Sequence, residues 1–265
     1  MWRIDRIEEK MKQGKTAVGT HTMFGWGNGM LTELYGTVGF DMVWIDTEHG
    51  AIDKSALMSS LIGCAVNNMA AFVRVAWKDK VLAKPILDMG ADGIIFPMVL
   101  DAQQAQEAVA ACQYPPEGVR GWGPVRNMKY GKVGLEEYKA QAKKVWTVIQ
   151  IEDIRAVENL DEILKVKGLN AIIIGPCDLS GSMGLMGQTD HPEVKKTLDY
   201  IAKKAREYHI PFGTSTGYDE QTLQEWVRRG ANFMFVDHEC GYIYRGAKNT
   251  YDGFNNIINA YKGTN

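Results

Sequence analysis

The sequence predicts a single (β/α)8 barrel, and three observations point to it. Short β-branched apolar runs recur without alternating with polar residues, which marks strands buried on both faces, as in a parallel sheet. Each run is followed by a stretch of helical character, at a spacing of roughly 25–35 residues. No Pro/Ser-rich linker divides the 265 residues, a length that one barrel commonly holds, so the whole of 1–265 reads as one domain.

In chain order the strands fall at Thr16–Thr20, Asp41–Asp46, Ala71–Val75, Gly93–Pro97, Trp146–Ile151, Ala171–Gly175, Ile210–Thr214 and Phe233–Val236. An amphipathic segment from Met1 to Lys15 precedes them. Helices fall at Asp53–Val66, Lys78–Met89, Asp101–Gln113, Leu135–Lys144, Ile154–Val166, Pro192–Tyr208 and Asp219–Arg229. Asp53, Asp101 and Asp219 stand where a side-chain oxygen can accept from the free amides of a first helical turn. Gly90 and Gly230 follow helix ends, and each opens a Gly-Ala-x turn into the next strand. The longest loop, Tyr114–Val133, reads as a lid or an interface segment. A doubly wound dinucleotide fold would need GxGxxG after the first strand, and Gly25-Trp26-Gly27-Asn28-Gly29 does not match it. The stretch Gly241–Gly263 carries Tyr242, Tyr244, Phe254, Ile257 and Ile258 on one side. That side must cover apolar surface, of its own barrel or of a neighbour.

Composition narrows the function. An apolar fraction of 45% builds a large core without disulfides. Thirty Lys and Arg against 32 Asp and Glu give a net charge of −2, which removes the electrostatic case for nucleic acid. No apolar run approaches the roughly 20 residues of a membrane span. Cys64, Cys112, Cys177 and Cys240 form no CxxC, as expected of reduced thiols in a cytoplasm.

A barrel places its site where the strands end. The polar residues there are Asp46 with Glu48 and His49, Arg74, Gln150 with Glu152, and Asp178. Ser215 and Thr216 come next, then Asp237, His238 and Glu239. Glu152 and Asp178 follow consecutive strands, and two bare carboxylates in one dry mouth need a proton or a cation between them. Oxygen ligands with open water positions suit Mg²⁺ or Mn²⁺, with Co²⁺ or Zn²⁺ as substitutes. The plainer alternative pairs Glu152 with Arg155 and has Asp178 cap the next turn. His49 is the proton-transfer candidate, imidazole being the side chain suited to acid/base work near neutral pH, or else a histidine bonded to a loop carbonyl. Arg74 ends an apolar strand and needs an anion: a substrate carboxylate or enolate, or else Asp46 or Glu48. Gly175-Pro176-Cys177-Asp178-Leu179-Ser180 would turn sharply and leave amides for a carboxylate, with Cys177 a further ligand to the ion or, more in keeping with its size, a small packed thiol. The hydroxyls at Thr214, Ser215 and Thr216 follow the seventh strand, where barrels often bind phosphate, or form an ordinary turn. No lysine lies in the catalytic half of a strand, and Lys165 and Lys167 fall at the opposite rim, so Schiff-base chemistry is disfavoured.

Six motifs, "WIDTEHG", "FVRVAW", "ILDMGADGIIFPMV", "YPPEGVRGWG", "VIQIED" and "IIIGPCDLSGSMG", occur here in order. Together they resemble the class II pyruvate aldolase family of hydroxy-oxo-heptanedioate aldolase and 2-keto-3-deoxy-rhamnonate aldolase, in the citrate lyase β / phosphoenolpyruvate-pyruvate barrel superfamily. The resemblance runs from about Thr16 to Val236. It implies a divalent-metal barrel that reversibly cleaves a 4-hydroxy-2-oxo acid to pyruvate and an aldehyde. It also implies a homo-oligomer, a hexamer built as a trimer of dimers that exchange the C-terminal helix. Glu152 and Asp178 match the metal ligands, and His49 matches the acid/base that works with a water on the metal. Arg74 matches the group that holds the pyruvate oxygen and stabilises its enolate. Asp46 and Asp88 match the acidic residues that support the histidine, Asp88 from an adjacent subunit. Gln150 matches a polar residue at the pyruvate end. Cys177, the Trp122–Arg126 segment, the seventh-strand hydroxyls and Asp237-His238-Glu239 depart from the family pattern, so the resemblance does not name the aldehyde. Its rivals are a non-catalytic barrel that binds an oxo acid and an acyl-CoA lyase of the same superfamily. The latter would need a basic segment for the CoA phosphates, and none is evident.

Overall fold

Eight parallel strands pair in sequence order and close on themselves, β1 Ala17–Thr22 against both β2 Met42–Asp46 and β8 Phe233–His238. Between them run β3 Ala70–Arg74, β4 Gly93–Phe96, β5 Trp146–Ile151, β6 Ala171–Ile174 and β7 Phe212–Thr216. The computed structural model describes residues 3–25 and 29–262. Met1 and Trp2 of the N-terminal segment, Trp26 to Asn28 of the glycine-rich stretch and Gly263 lie outside the described residues.

Every strand has two buried faces because side chains alternate between two cores. The outer core lies between strands and helices and includes Val43, Ile45, Val73, Ile149, Ile172 and Val236. The inner one fills the barrel with Met42, Trp44, Phe72, Val148, Ile173 and Phe235, among others. Helix α1, Arg3–Lys12, plugs the lower end of that inner core with Ile4 and Ile7. Arg3 bonds Asp92 at 2.8 Å and Lys10 bonds Asp41 at 2.5 Å, which fastens the plug to the loops feeding β4 and β2.

The remaining helices alternate with the strands: α2 Gly29–Val38, α3 Lys54–Val66, α4 Lys80–Met89, α5 Ala102–Cys112, α6 Leu135–Ala142, α7 Ile154–Glu158, α8 Leu160–Leu164, α9 Pro176–Ser182, α10 Pro192–Glu207, α11 Glu220–Arg229 and α12 Glu239–Lys262. Asp53, Asp101 and Asp219 accept from Ala56, Gln104 and Thr222 amides as the capping pattern predicts. Gly90 and Gly230 end α4 and α11 in the left-handed region, at φ 97° and 84°.

Four expectations are corrected. The helix expected over Ile154–Val166 is broken at Asn159, whose backbone leaves the helical region between α7 and α8. The turn expected after Gly175 is the short helix α9, with Pro176 at its first position, where no amide is needed. Helix α2 was not anticipated, because glycine-rich sequence precedes it and Gly36 falls within it. Strands β1, β7 and β8 each extend two residues further than their apolar runs, so His21, Ser215, Asp237 and His238 lie on strands and not in loops.

Candidate active site

Period-two alternation decides which strand-end residues face inward. Trp44, Phe72, Val148 and Ile173 fill the barrel, so the residues two further on, Asp46, Arg74, Gln150 and Gly175, form the next layer toward the mouth. Ser215 and His21 belong to the same layer, where they bond one another.

At its centre is Arg74. Its Nε donates to Asp46 Oδ1 at 2.9 Å and its Nη2 to Asp46 Oδ2 at 2.5 Å. Nη1 lies 2.9 Å from Glu48 Oε2 and 3.4 Å from Gln150 Oε1. The guanidinium also rests on the Trp44 ring, 4.9 Å from its centroid. Both of its candidate partners within the chain, Asp46 and Glu48, are therefore engaged. Burial would raise the Asp46 carboxyl, but the bonds and charge of Arg74 outweigh it and hold that carboxyl below the usual range. Glu48 is raised, chiefly by burial.

Gln150 passes the contact on, its Nε2 donating to Glu152 Oε2 at 2.5 Å. Glu152 Oε1 accepts from the Met98 amide at 2.7 Å, and the Met98 carbonyl accepts from Lys78 Nζ at 2.7 Å. Glu152 does not pair with Arg155, which binds Asp153 instead. Burial, together with the charges of Asp178 and Glu48, pushes the Glu152 carboxyl up to about 7. Asp178 lies in the first turn of α9 without capping it, since Gly175 is the N-cap. Among the described residues no group of three His, Cys, Asp or Glu is placed to hold a metal, so Glu152 and Asp178 would share an ion with water or substrate.

His49 projects from the β2–α3 loop with 65% of its side chain exposed, and its Nε2 is 3.9 Å from Glu48 Oε2. Asp46 meets only the backbone amide of His49, at 3.4 Å, so it orients the loop and Arg74 and not the imidazole. The expected Asp46–His49 ring contact is thereby corrected. Asp88 is not brought to this group within the chain. It sits in the last turn of α4, at the end where the strands begin, and accepts from Arg120 Nη2 at 3.1 Å. Cys177 is exposed, contrary to a packed thiol.

His21 was overlooked, and it belongs to the layer. Ser215 Oγ lies 2.8 Å from its Nε2, and its ring packs on Trp44 at 4.7 Å. The signal was available: counting by two from Gly19 points His21 inward. Asp237 is engaged outside the site by Arg245 and by the His238 amide. Glu239 is buried and accepts from the Met23 and Phe24 amides at 2.7 and 2.8 Å, pinning the β1–α2 loop to the start of α12.

This arrangement brings one fixed cation, a carboxylate pair without its own cation and an accessible imidazole around one mouth. Comparison with known proteins points the same way. A hydroxypyruvate/pyruvate aldolase of Roseobacter denitrificans is 31% identical over 246 residues, covering 92% of this chain and 95% of that protein. A 5-keto-4-deoxy-D-glucarate aldolase of Escherichia coli O157:H7 is 34% identical over 224 residues, covering 83% and 85%. The crystal structure of an HpcH/HpaI aldolase from Desulfitobacterium hafniense superposes with a TM-score of 0.85 at 29% identity, covering 94% and 95%. Residues 25–241 match the family described as HpcH/HpaI aldolase/citrate lyase, and the chain belongs to that family.

Proposed function

We propose that this protein is a divalent-metal-dependent aldolase that reversibly cleaves a 4-hydroxy-2-oxo acid to pyruvate and an aldehyde. The observation that carries the reading is Arg74, fixed by Asp46 and Glu48 beside Glu152, a buried carboxylate with no ion pair of its own among the described residues.

The residues present fit a hard cation. Glu152 and Asp178 offer only oxygen, and Glu152 resists ionising until positive charge joins it. Glu152 and Asp178 would hold Mg²⁺ or Mn²⁺, with Co²⁺ or Zn²⁺ as substitutes. Bound there, the ion supplies Lewis acidity toward the 2-oxo oxygen. Arg74 is the fixed cation that would hold the substrate oxygen, whose negative charge grows only as the C3–C4 bond breaks, so its effect would fall on the transition state. His49 takes the proton of the C4 hydroxyl, and Glu48 is the carboxylate in the chain that steadies its ring. Asp88 can support His49 only from a second copy. Gln150 and the first turn of α9, from Gly175 through Pro176 and Cys177 to Asp178, receive the substrate carboxylate, and Ser215 lines the same chamber.

The wider reading is of a cytoplasmic homo-oligomer, a hexamer by family analogy, acting on small 2-oxo acids and aldehydes. No helix among the described residues is long and apolar enough to cross a membrane. Helix α12 leaves Ile243, Tyr244, Tyr251, Phe254 and Ile257 each more than half exposed, a stripe that a second copy would cover. The test is exchange of pyruvate methyl protons in D₂O with added divalent metal. Metal-dependent exchange is expected. Retention of the protons with every divalent metal tried overturns the reading in favour of a non-catalytic binder.

A further inference from the structure

Lys78 has no task in the scheme above, yet it reaches the mouth. It stands in the loop between β3 and α4, with its Nζ 4.2 Å from the centroid of the Trp77 ring. From there it donates to the Met98 carbonyl at 2.7 Å. Met98 follows β4 at the catalytic end of the barrel, and its φ is 55°. That left-handed value is uncommon for a residue with a side chain and persists only where neighbouring groups enforce it.

Both main-chain polar groups of Met98 are held by side chains of other elements. Its amide donates to Glu152 Oε1 at 2.7 Å, just beyond β5, and its carbonyl accepts from Lys78. The chain that follows is anchored as well, since Val99 is fully buried and the Leu100 amide donates to Gln104 Oε1 at 2.9 Å. With that chain fixed, φ at Met98 decides where its amide points. Relaxation to an ordinary negative φ would swing the donor away from Glu152. The carboxylate would then be aimed by the bond from Gln150 Nε2 and no longer by both. The charge of Lys78 acts in the other direction. A cation beside Glu152 and Asp178 repels a metal ion between them, so charge alone would weaken the site.

We propose that Lys78 is a positioning residue. By holding Met98 in its left-handed conformation it aims the Met98 amide at Glu152, and so raises the affinity of that carboxylate for a divalent ion. The proposal rests on the reading of Glu152 as a metal ligand and adds a residue that touches neither metal nor substrate.

The experiment uses the full chain and compares Lys78→Met, which keeps the stem and removes the ammonium, with Met98→Gly and the double variant. Glycine adopts a positive φ without strain, so a glycine there should not need the lysine. Two readouts are taken: Mn²⁺ affinity by calorimetry, and hydrogen exchange of the Met98 amide in the metal-free protein. Lys78→Met should weaken Mn²⁺ binding about tenfold, the size expected when a group that orients a ligand is lost, and should speed exchange at Met98. In the Met98→Gly background the same lysine substitution should change neither readout. Met98→Asn, which also tolerates a positive φ, replaces the glycine variant should that not fold. Unchanged or tighter Mn²⁺ binding in Lys78→Met overturns the proposal, the tighter value showing that only the charge is felt. A full tenfold loss in the Met98→Gly background overturns it too, since Lys78 would then act on Glu152 without Met98. Exchange at Met98 that Lys78→Met leaves unchanged overturns the hold on the loop itself. A wild-type protein that binds no Mn²⁺ counts instead against Glu152 as a ligand, and the exchange measurement, made without metal, still decides whether Lys78 holds Met98.

Discussion

Asp46 and Arg74 are register partners on β2 and β3, and their side chains meet at two points, Nε to Oδ1 at 2.9 Å and Nη2 to Oδ2 at 2.5 Å. A planar fork on a planar carboxylate fixes direction as well as charge. Arg74→Lys keeps the charge and loses the fork. It should cost about 3 kcal/mol of transition-state stabilisation, a loss of at least 100-fold in kcat/KM, in cleavage and in pyruvate proton exchange alike. A lysine variant within tenfold of wild type would show that charge alone suffices.

The same pair sets an acid dependence. Burial alone would raise the Asp46 carboxyl, but Arg74 holds it below its ordinary value, so the folded state favours the ionised form. Its contribution to stability is full above the unfolded value of about 4 and is lost as pH falls through the lower folded value. Asp46→Asn breaks a buried pair and should cost about 3–5 kcal/mol at neutral pH. Thermal midpoints of the two proteins should differ most near neutrality and converge in acid. A gap that stays constant down to the acid transition contradicts this account.

Glu152 runs in the opposite sense. Its folded value of about 7, against an ordinary 4.5, means that its stability contribution is full below about pH 4 and fades as pH rises through 7. Glu152→Gln should remove that slope, worth at most about 3 kcal/mol. A divalent ion should raise the wild-type midpoint above pH 7 and have less effect below it, where the ion must displace a proton. Chelation should abolish turnover reversibly. Full activity after chelation, or equal stabilisation of Glu152→Gln by the ion, argues against Glu152 as a ligand.

His49 and Arg74 should separate kinetically. His49→Ala removes a group that is 65% exposed and should leave the fold and pyruvate binding in place while slowing cleavage by about 10²–10⁴. Arg74→Ala should weaken pyruvate binding as well, since it leaves Asp46 and Glu48 without their shared cation. Calorimetric titration with pyruvate checks both. Binding lost in His49→Ala but kept in Arg74→Ala reverses the two roles.

What the sequence made legible was local or periodic. Asp53, Asp101 and Asp219 cap helices through atoms within three residues, and the period of two that buries Trp44 and Phe72 also turns Asp46 and Arg74 inward. His21 was missed because the apolar run ends before it, although the ladder to β2 continues through Thr22. Helix α9 was missed because Gly175, Pro176 and the serines read as a turn, while what orders them is packing of Leu179 into the outer core. The partner of Glu48 and the separation of Asp88 from His49 depend on contacts between distant strands and helices, which spacing along the chain does not encode.

Gly175 offers the sharpest steric test of the carboxylate site. Its φ of −100° is open to any residue, so substitution meets no backbone strain. A Cβ there, however, would lie 2.8 Å from Glu152 Cβ and 2.9 Å from Glu152 Oε2, closer than carbon and oxygen can approach. The methyl cannot be accommodated by the tip of a flexible side chain, because it meets the Cβ of Glu152 next to its own backbone. Gly175→Ala must therefore shift the carboxylate and disturb the 2.5 Å bond from Gln150 Nε2. Displacement of about 1 Å is enough to cost roughly 100-fold in a positioned site. The variant should fold, bind Mg²⁺ or Mn²⁺ at least tenfold more weakly by calorimetry and lose most of its proton exchange. Gly134→Ala, at the start of α6 with nothing within 4 Å of the added carbon, is the control and should match wild type in both measurements. Unaltered metal affinity in Gly175→Ala would separate Glu152 from the metal and leave the ion's protein ligands to be sought elsewhere around the mouth.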